Sequence, residues 1–271
     1  MKCRHAMVLL GITLPICIAL KIIQAVFTID NKTGFIKQNY SAVGMLITLI
    51  VCATIAVVSL IAFTSRNKPN EKSAASPALA VASALLGGIF IYQTVAGMSA
   101  LNGNWYDIFM IILSVFSAIA FLAYGLKNIY SYNMPAVLMT VPTVYYVIKL
   151  ISLFISKSKL ALVTDNAFTL FTNCALLLFL FELACLENKI GDIPKRQKNL
   201  FGYGVATVML CATTAVAKFA VAIFTTQKVF SGDISESLLN LAMAIFIFVY
   251  IVFNYKDDNT VLENAAPKHQ A

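Results

Sequence analysis

Eight apolar runs of roughly 20 residues, each as long as a helix needs to be to cross the hydrocarbon of a bilayer, constrain this chain more than any other feature. They cover about 6–27, 43–64, 77–98, 106–126, 134–156, 164–186, 200–225 and 235–255. Each is too long and continuous for a buried strand, and none shows the alternation of an outer-membrane barrel. Composition agrees. With 60% apolar residues, 12% charged and a mean hydropathy of +0.83, there is charge for loops but not for a soluble exterior, where about a quarter of residues would be charged. The reading is an all-α integral membrane protein. A single transmembrane domain over residues 1–271 holds about eight transmembrane helices as four hairpins, with a short polar tail at 256–271.

The breaks carry turn chemistry: "SRNKPNEKS" at 65–73, "SALNGN" at 99–104, "ENKIGDIPKRQKN" at 187–199 and "QKVFSGD" at 227–233. Several even-numbered spans open on a capping residue followed by acid: Asn104 before Asp107, Thr164 before Asp165, Ser235 before Glu236. Carboxylates in a first turn suit the positive end of the helix dipole. The opening "MKCRHAMVLLGITLPICIALKIIQA" places basic residues before an apolar core, as a secretion signal does. Lys21 stands where a cleavage site would fall, however, so this segment is expected to stay as a first helix.

Loop lysines and arginines set the expected orientation. With the amino terminus inside, twelve lie in cytoplasmic segments, five in external loops and three within spans. Both termini are then cytoplasmic, and the net charge of +8 reflects topology. The basic residues are scattered over short loops, which excludes a nucleic-acid surface. Cys17, Cys52, Cys174 and Cys211 lie inside spans and Cys3 and Cys185 at the inner side, so no external disulfide framework and no metal motif is expected.

Each helix running from inside to outside bears a polar residue in its outer third: Lys21, Gln93, Lys149 and Lys218. These form the candidate intramembrane site. Asp107, Asp165, Asp233 and Glu236, where the returning helices begin, are the candidate rim carboxylates. A shift of 125 to 128 residues places Pro15 on Pro142, Lys21 on Lys149, Gln93 on Lys218, Asp107 on Asp233, Tyr124 on Tyr250 and Asn128 on Asn254. That pattern suggests a tandem 4+4 parallel repeat with halves 1–133 and 134–255.

Three readings of the lysines stand, one of them purely structural: Lys149 or Lys218 pairs with a rim carboxylate and fixes helix register. Snorkelling is the plainest, since a four-carbon stem covers most of the roughly 9 Å of helix up to the outer interface. The third is a cationic, outward-facing cavity, because ionisable groups within spans mark solute or ion sites. On α-helical spacing, Pro142, Tyr145, Tyr146 and Lys149 form one stripe. Lys149 is therefore expected to face protein, paired with Asp107, Asp165 or Asp233. Glu182 is expected to be solvated or paired with a loop lysine near the inner interface. Trp105 and Tyr106 on one side, and Tyr130, Tyr132, Tyr203 and Tyr255 on the other, read as interfacial anchors. "SALLGG" in the third span allows close helix contact.

The only histidines, His5 and His269, are terminal, so no intramembrane haem, zinc or Ser-His chemistry is expected. No HExxH, Gly-rich phosphate loop or GxSxG occurs, and the chain is not expected to be an enzyme or to hold a cofactor. The loop in "AVFTIDNKTGFI" (25–36), between two spans with basic residues after the second, resembles that of a multi-spanning protein family of clostridia-type bacteria. In that family an Asp-x-x-Thr-Gly-Phe-like loop joins the first two helices. The resemblance implies a bacterial inner membrane and no particular activity. Two functional classes follow. One is a small transporter or channel-like protein taking an anionic or zwitterionic solute. The other is a sensor or accessory subunit that binds lipid or a partner membrane protein.

Overall fold

The computed structural model describes residues 3–28, 37–65, 68–69, 76–99, 105–130, 134–157, 164–224 and 234–256. Eight long helices account for most of them: α1 (Cys3–Ile23), α2 (Ser41–Thr64), α3 (Pro77–Ser99), α4 (Trp105–Tyr130), α5 (Thr140–Lys157), α6 (Thr164–Glu187), α7 (Ile193–Phe224) and α8 (Ile234–Asn254). All eight are long and apolar enough to cross a membrane. Their outer faces keep large apolar side chains exposed, among them Met45, Leu49, Val95, Phe154 and Ile155. A water-soluble protein rarely shows so much apolar surface, whereas lipid requires it. This is a multi-pass helical membrane protein whose helices meet the bilayer. The loop residues 29–36, Asp233 and the tail beyond Lys256 lie outside the described residues, as does the side chain of Asp165.

Helix ends depart from the hydropathy reading where polar residues continue a helix. A π-helical turn, Gln24–Thr28, extends α1, and a 3-10 turn, Ala136–Met139, leads into α5. The largest difference is at α7, which begins at Ile193 and not near 200. Lys195, Arg196 and Lys198 lower the hydropathy there, yet the segment has helix-start chemistry. Pro194 occupies the first turn, where a missing N–H costs nothing, and Arg196 N–H donates to Asp192 O at 3.0 Å. Just before it, α6 is closed by a Schellman pair, Ile190 N–H to Cys185 O at 2.9 Å and Lys189 N–H to Leu186 O at 3.1 Å. Lys189 takes the left-handed conformation this closure needs, at φ 54°.

The helices pack in a closed circuit: α7 on α8, α8 on α3, α3 on α4, α4 on α5, α5 on α6, and α6 on α7, with α1 and α2 lying against α7. A tandem repeat would pack α2 on α3 as α6 packs on α7; α2 instead packs on α1 and α7. The α3–α4 seam is tight because small residues line it. A Cβ at Gly87 would come within 2.8 Å of Leu122, and one at Gly125 within 3.0 Å of Ser83. The neighbouring Gly88 meets nothing within 4 Å, so only one glycine of "SALLGG" serves that contact.

One end of the bundle is tied by polar contacts. A two-residue antiparallel bridge pairs Lys68–Pro69 (β1) with Tyr255–Lys256 (β2). Tyr255 Oη donates to Gln197 O at 2.7 Å, and Lys127 pairs with Glu187. The ends of α2, α4, α6 and α8 and the start of α7 therefore lie together, as eight successive crossings require. Tyr255, read as an interfacial anchor, is instead buried against Phe201, ring centroids 5.0 Å apart. Tyr203 packs edge-on against Phe63.

Aromatic rings fill the middle of the circuit. Phe90 stacks on Phe121 at 5.7 Å, Phe121 meets Phe246 edge-on at 5.3 Å, and Tyr145 meets Phe90 edge-on at 5.5 Å. Tyr124 and Tyr250 continue the stack toward the tied end.

Candidate functional site

Helical spacing explains the site from α5 upward. Pro142, Tyr145, Tyr146 and Lys149 recur at three- and four-residue intervals, and all four are buried on the face turned into the bundle. Lys149 is 9% exposed. Its Nζ lies 3.0 Å from Glu236 Oε1, in the first turn of α8, and 5.6 Å from the centre of the Tyr146 ring. Glu236 begins a buried face of α8 that continues through Asn240, Met243 and Ile247, so its carboxylate is carried inward to meet the lysine.

A cavity of about 360 Å³ opens beside this pair. It lies where α4 and α8 begin and α3 and α5 end. Gln93 comes from α3, Tyr106 and Asp107 from α4, Tyr145 and Lys149 from α5, and Glu236 from α8. The Oε1 of Gln93 is buried without a hydrogen-bond partner, while its side chain interacts with the Tyr145 hydroxyl. Below, Ser114 accepts from Thr94 Oγ1 at 3.1 Å and donates to Phe90 O at 3.1 Å. This ties the cavity to the aromatic stack.

The cavity gathers two of the four intramembrane candidates, Gln93 and Lys149, and two rim carboxylates, Asp107 and Glu236. The other lysines lie elsewhere. Lys21 is 1% exposed, 3.0 Å from Gln24 Oε1 and 3.9 Å over the Phe168 ring. Gln24 in turn donates to Gly44 O at 2.9 Å and Thr48 Oγ1 at 2.5 Å, which places this cluster in the α1–α2 seam. Lys218 is half-buried on α7, next to Ala217, which packs with Val221 against Ala25. Lys21 and Lys149 do not snorkel; both ammonium groups are held inside the protein. Lys149 pairs with a rim carboxylate, as the structural reading expects, and that carboxylate is Glu236 rather than one of the three aspartates named for the cavity. Tyr106, expected as an anchor, is half-buried and lines the cavity, whereas Trp105 is exposed at the bundle edge.

The lining is also less cationic than the lysines alone suggested. Among the described residues it presents one ammonium and two carboxylates. Tyr146 Oη and Asn240 Oδ1 are buried without hydrogen-bond partners; Tyr146 belongs to the expected α5 stripe, and Asn240 is the polar group the sequence reading does not include. The signal for Asn240 was available, since it falls one helical turn after Glu236.

At the tied end, Glu182 is buried and accepts from Arg196 Nη1 at 2.9 Å and from Asn199 Nδ2 at 3.1 Å. It is neither solvated nor paired with a lysine, because the early start of α7 brings Arg196 onto the helix facing α6. Arg196→Met should therefore strand a buried carboxylate. The unfolding temperature is expected to fall, because Glu182 keeps only Asn199 as a donor among the described residues, and Glu182→Gln in the same background should return most of the loss. Thermal unfolding of the single and double variants in detergent checks this coupling.

Compared with known proteins, the chain matches no protein-family model, no curated protein and no solved structure.

Proposed function

We propose that this protein is a small transporter or channel-like protein of the bacterial inner membrane, whose cavity receives a small charged solute of the anionic or zwitterionic class. The observation that carries the reading is the Lys149–Glu236 ion pair beside the cavity of about 360 Å³. Cavities of about 300–1,000 Å³ are the usual size of small-molecule sites. A buried ion pair is a poor device for stability alone, since well-packed apolar residues serve as well or better. Ionisable groups inside a membrane protein characteristically line solute paths. The aromatic stack of Phe90, Phe121 and Phe246 supports the same reading, because it packs the bundle interior next to Tyr145 of the cavity lining.

Uptake by proteoliposomes tests the proposal. A labelled amino acid or small carboxylate should accumulate in exchange for internal solute, and Lys149→Met should abolish the exchange. Equal fluxes with wild-type, Lys149→Met and empty liposomes would refute it.

On the same reading the polar-tied end faces the cytoplasm, following the excess of basic residues there. Reporter fusions at residues 70, 130, 193 and 262 should signal cytoplasm, and fusions at 35, 102, 160 and 231 the outside. An external signal at 193, beside the heaviest basic load, would reverse the orientation.

A further inference from the structure

We infer that the solute accepted by this cavity is an amino-acid-like zwitterion held by its ammonium group, and that simple anions are excluded. The inference rests on the reading that the cavity binds a solute, and follows from what its lining lacks. Lys149 is the cationic side chain of the described lining, and Glu236 already stands 3.0 Å from it. A free anion could reach Lys149 only by competing with that carboxylate, in a chamber that also holds Asp107. Like charges in a partly desolvated site repel strongly.

Acceptors, by contrast, are in surplus. Asp107 makes no ion pair among the described residues, and Gln93 Oε1 is a buried acceptor without a donor. An unmade hydrogen bond at a buried acceptor is costly, and a charged N–H donor is the strongest remedy for it. The rings of Tyr106 and Tyr145 line the same space and offer negative faces to a cation. An ammonium in this cavity shares its lining with Asp107, Gln93, Tyr106 and Tyr145. A carboxylate on the same molecule is then directed toward Lys149, sharing it with Glu236 while the added ammonium offsets the added negative charge. No covalent step is involved.

Binding to the full chain in nanodiscs, by calorimetry and thermal shift, tests this with three matched probe series: amino acids from glycine to leucine, the corresponding carboxylates without the amine, and the amines without the carboxylate. Amino acids and amines of some size should bind, and the matching carboxylates should bind at least tenfold more weakly. Asp107→Asn should weaken amine binding about tenfold while the unliganded protein still folds, because the change strands no ion-pair partner. Carboxylates that bind as well as amino acids, or an Asp107→Asn protein with undiminished amine affinity, would overturn the inference while leaving the solute-binding reading intact. If no probe of any series binds, both fall together.

Discussion

Lys149→Met is expected to destabilise the protein by about 3 kcal/mol, and adding Glu236→Gln should return most of that loss. The asymmetry follows from burial. The side chains of Lys149 and Glu236 are 11% and 18% exposed, so the lysine's removal leaves a carboxylate in a poorly solvated position facing Asp107 across the cavity. Breaking a buried pair typically costs about 3–5 kcal/mol. The adjoining cavity lets water reach the stranded carboxylate, which places the expectation at the lower end. In the double variant no ion remains to be solvated, and only packing and a weak polar contact are lost. The complementary single change, Glu236→Gln, should cost a similar amount by stranding the ammonium. Unfolding in nanodiscs, measured for all four members of the cycle, gives the coupling directly. A coupling near zero would mean that the two groups are solvated independently, and the cavity would lose its organising pair.

What could be read from the sequence divides along physical lines. Hydropathy acts over a whole span, so eight crossings and their order are visible in a sliding window. Polarity within a span is also visible, because Lys149, Gln93, Asp107 and Glu236 stand out against apolar neighbours. What cannot be read is which helices are neighbours. Lys149 and Glu236 are far apart in the chain and belong to helices joined only through the circuit of packing. Lys21 looked equivalent to Lys149 in one dimension, yet the seam of α1 and α2 gives it Gln24 and Phe168 in place of a carboxylate. Helix ends failed for a related reason. A transfer scale penalises Lys195, Arg196 and Lys198, although a helix extending beyond the hydrocarbon tolerates them, and Arg196 then finds Glu182. A lysine stem is long enough to reach the interface, yet in the bundle Lys21 and Lys149 meet partners nearer than it.

Phe121→Ala is expected to cost about 3–4 kcal/mol, whereas Phe116→Ala, five residues earlier on the same helix, should cost almost nothing. Phe121 is 0% exposed and Phe116 49%. Truncating the buried ring removes its contacts with Phe90 and Phe246 and leaves a void that the helices cannot close without moving. Phe→Ala changes in packed cores cost about 3–5 kcal/mol for this reason. Position 116 is half-exposed on the outer face, where lipid chains are expected to refill the space when the ring is gone. There is no comparable hydrophobic penalty between a helix and a bilayer as apolar as itself. Phe121→Leu should recover much of the stability by restoring volume. The void also bears on function, because the stack separates the cavity from Tyr124 and Tyr250 at the tied end. Liposomes containing Phe121→Ala should therefore leak small solutes faster than those containing Phe121→Leu at equal protein content. Measuring unfolding and leak on the same preparations separates the two effects. If Phe121→Ala were as stable as Phe116→Ala, the stack would not be a packed septum. If it were unstable but no leakier than Phe121→Leu, the rings would be core alone, with no part in a path across the membrane.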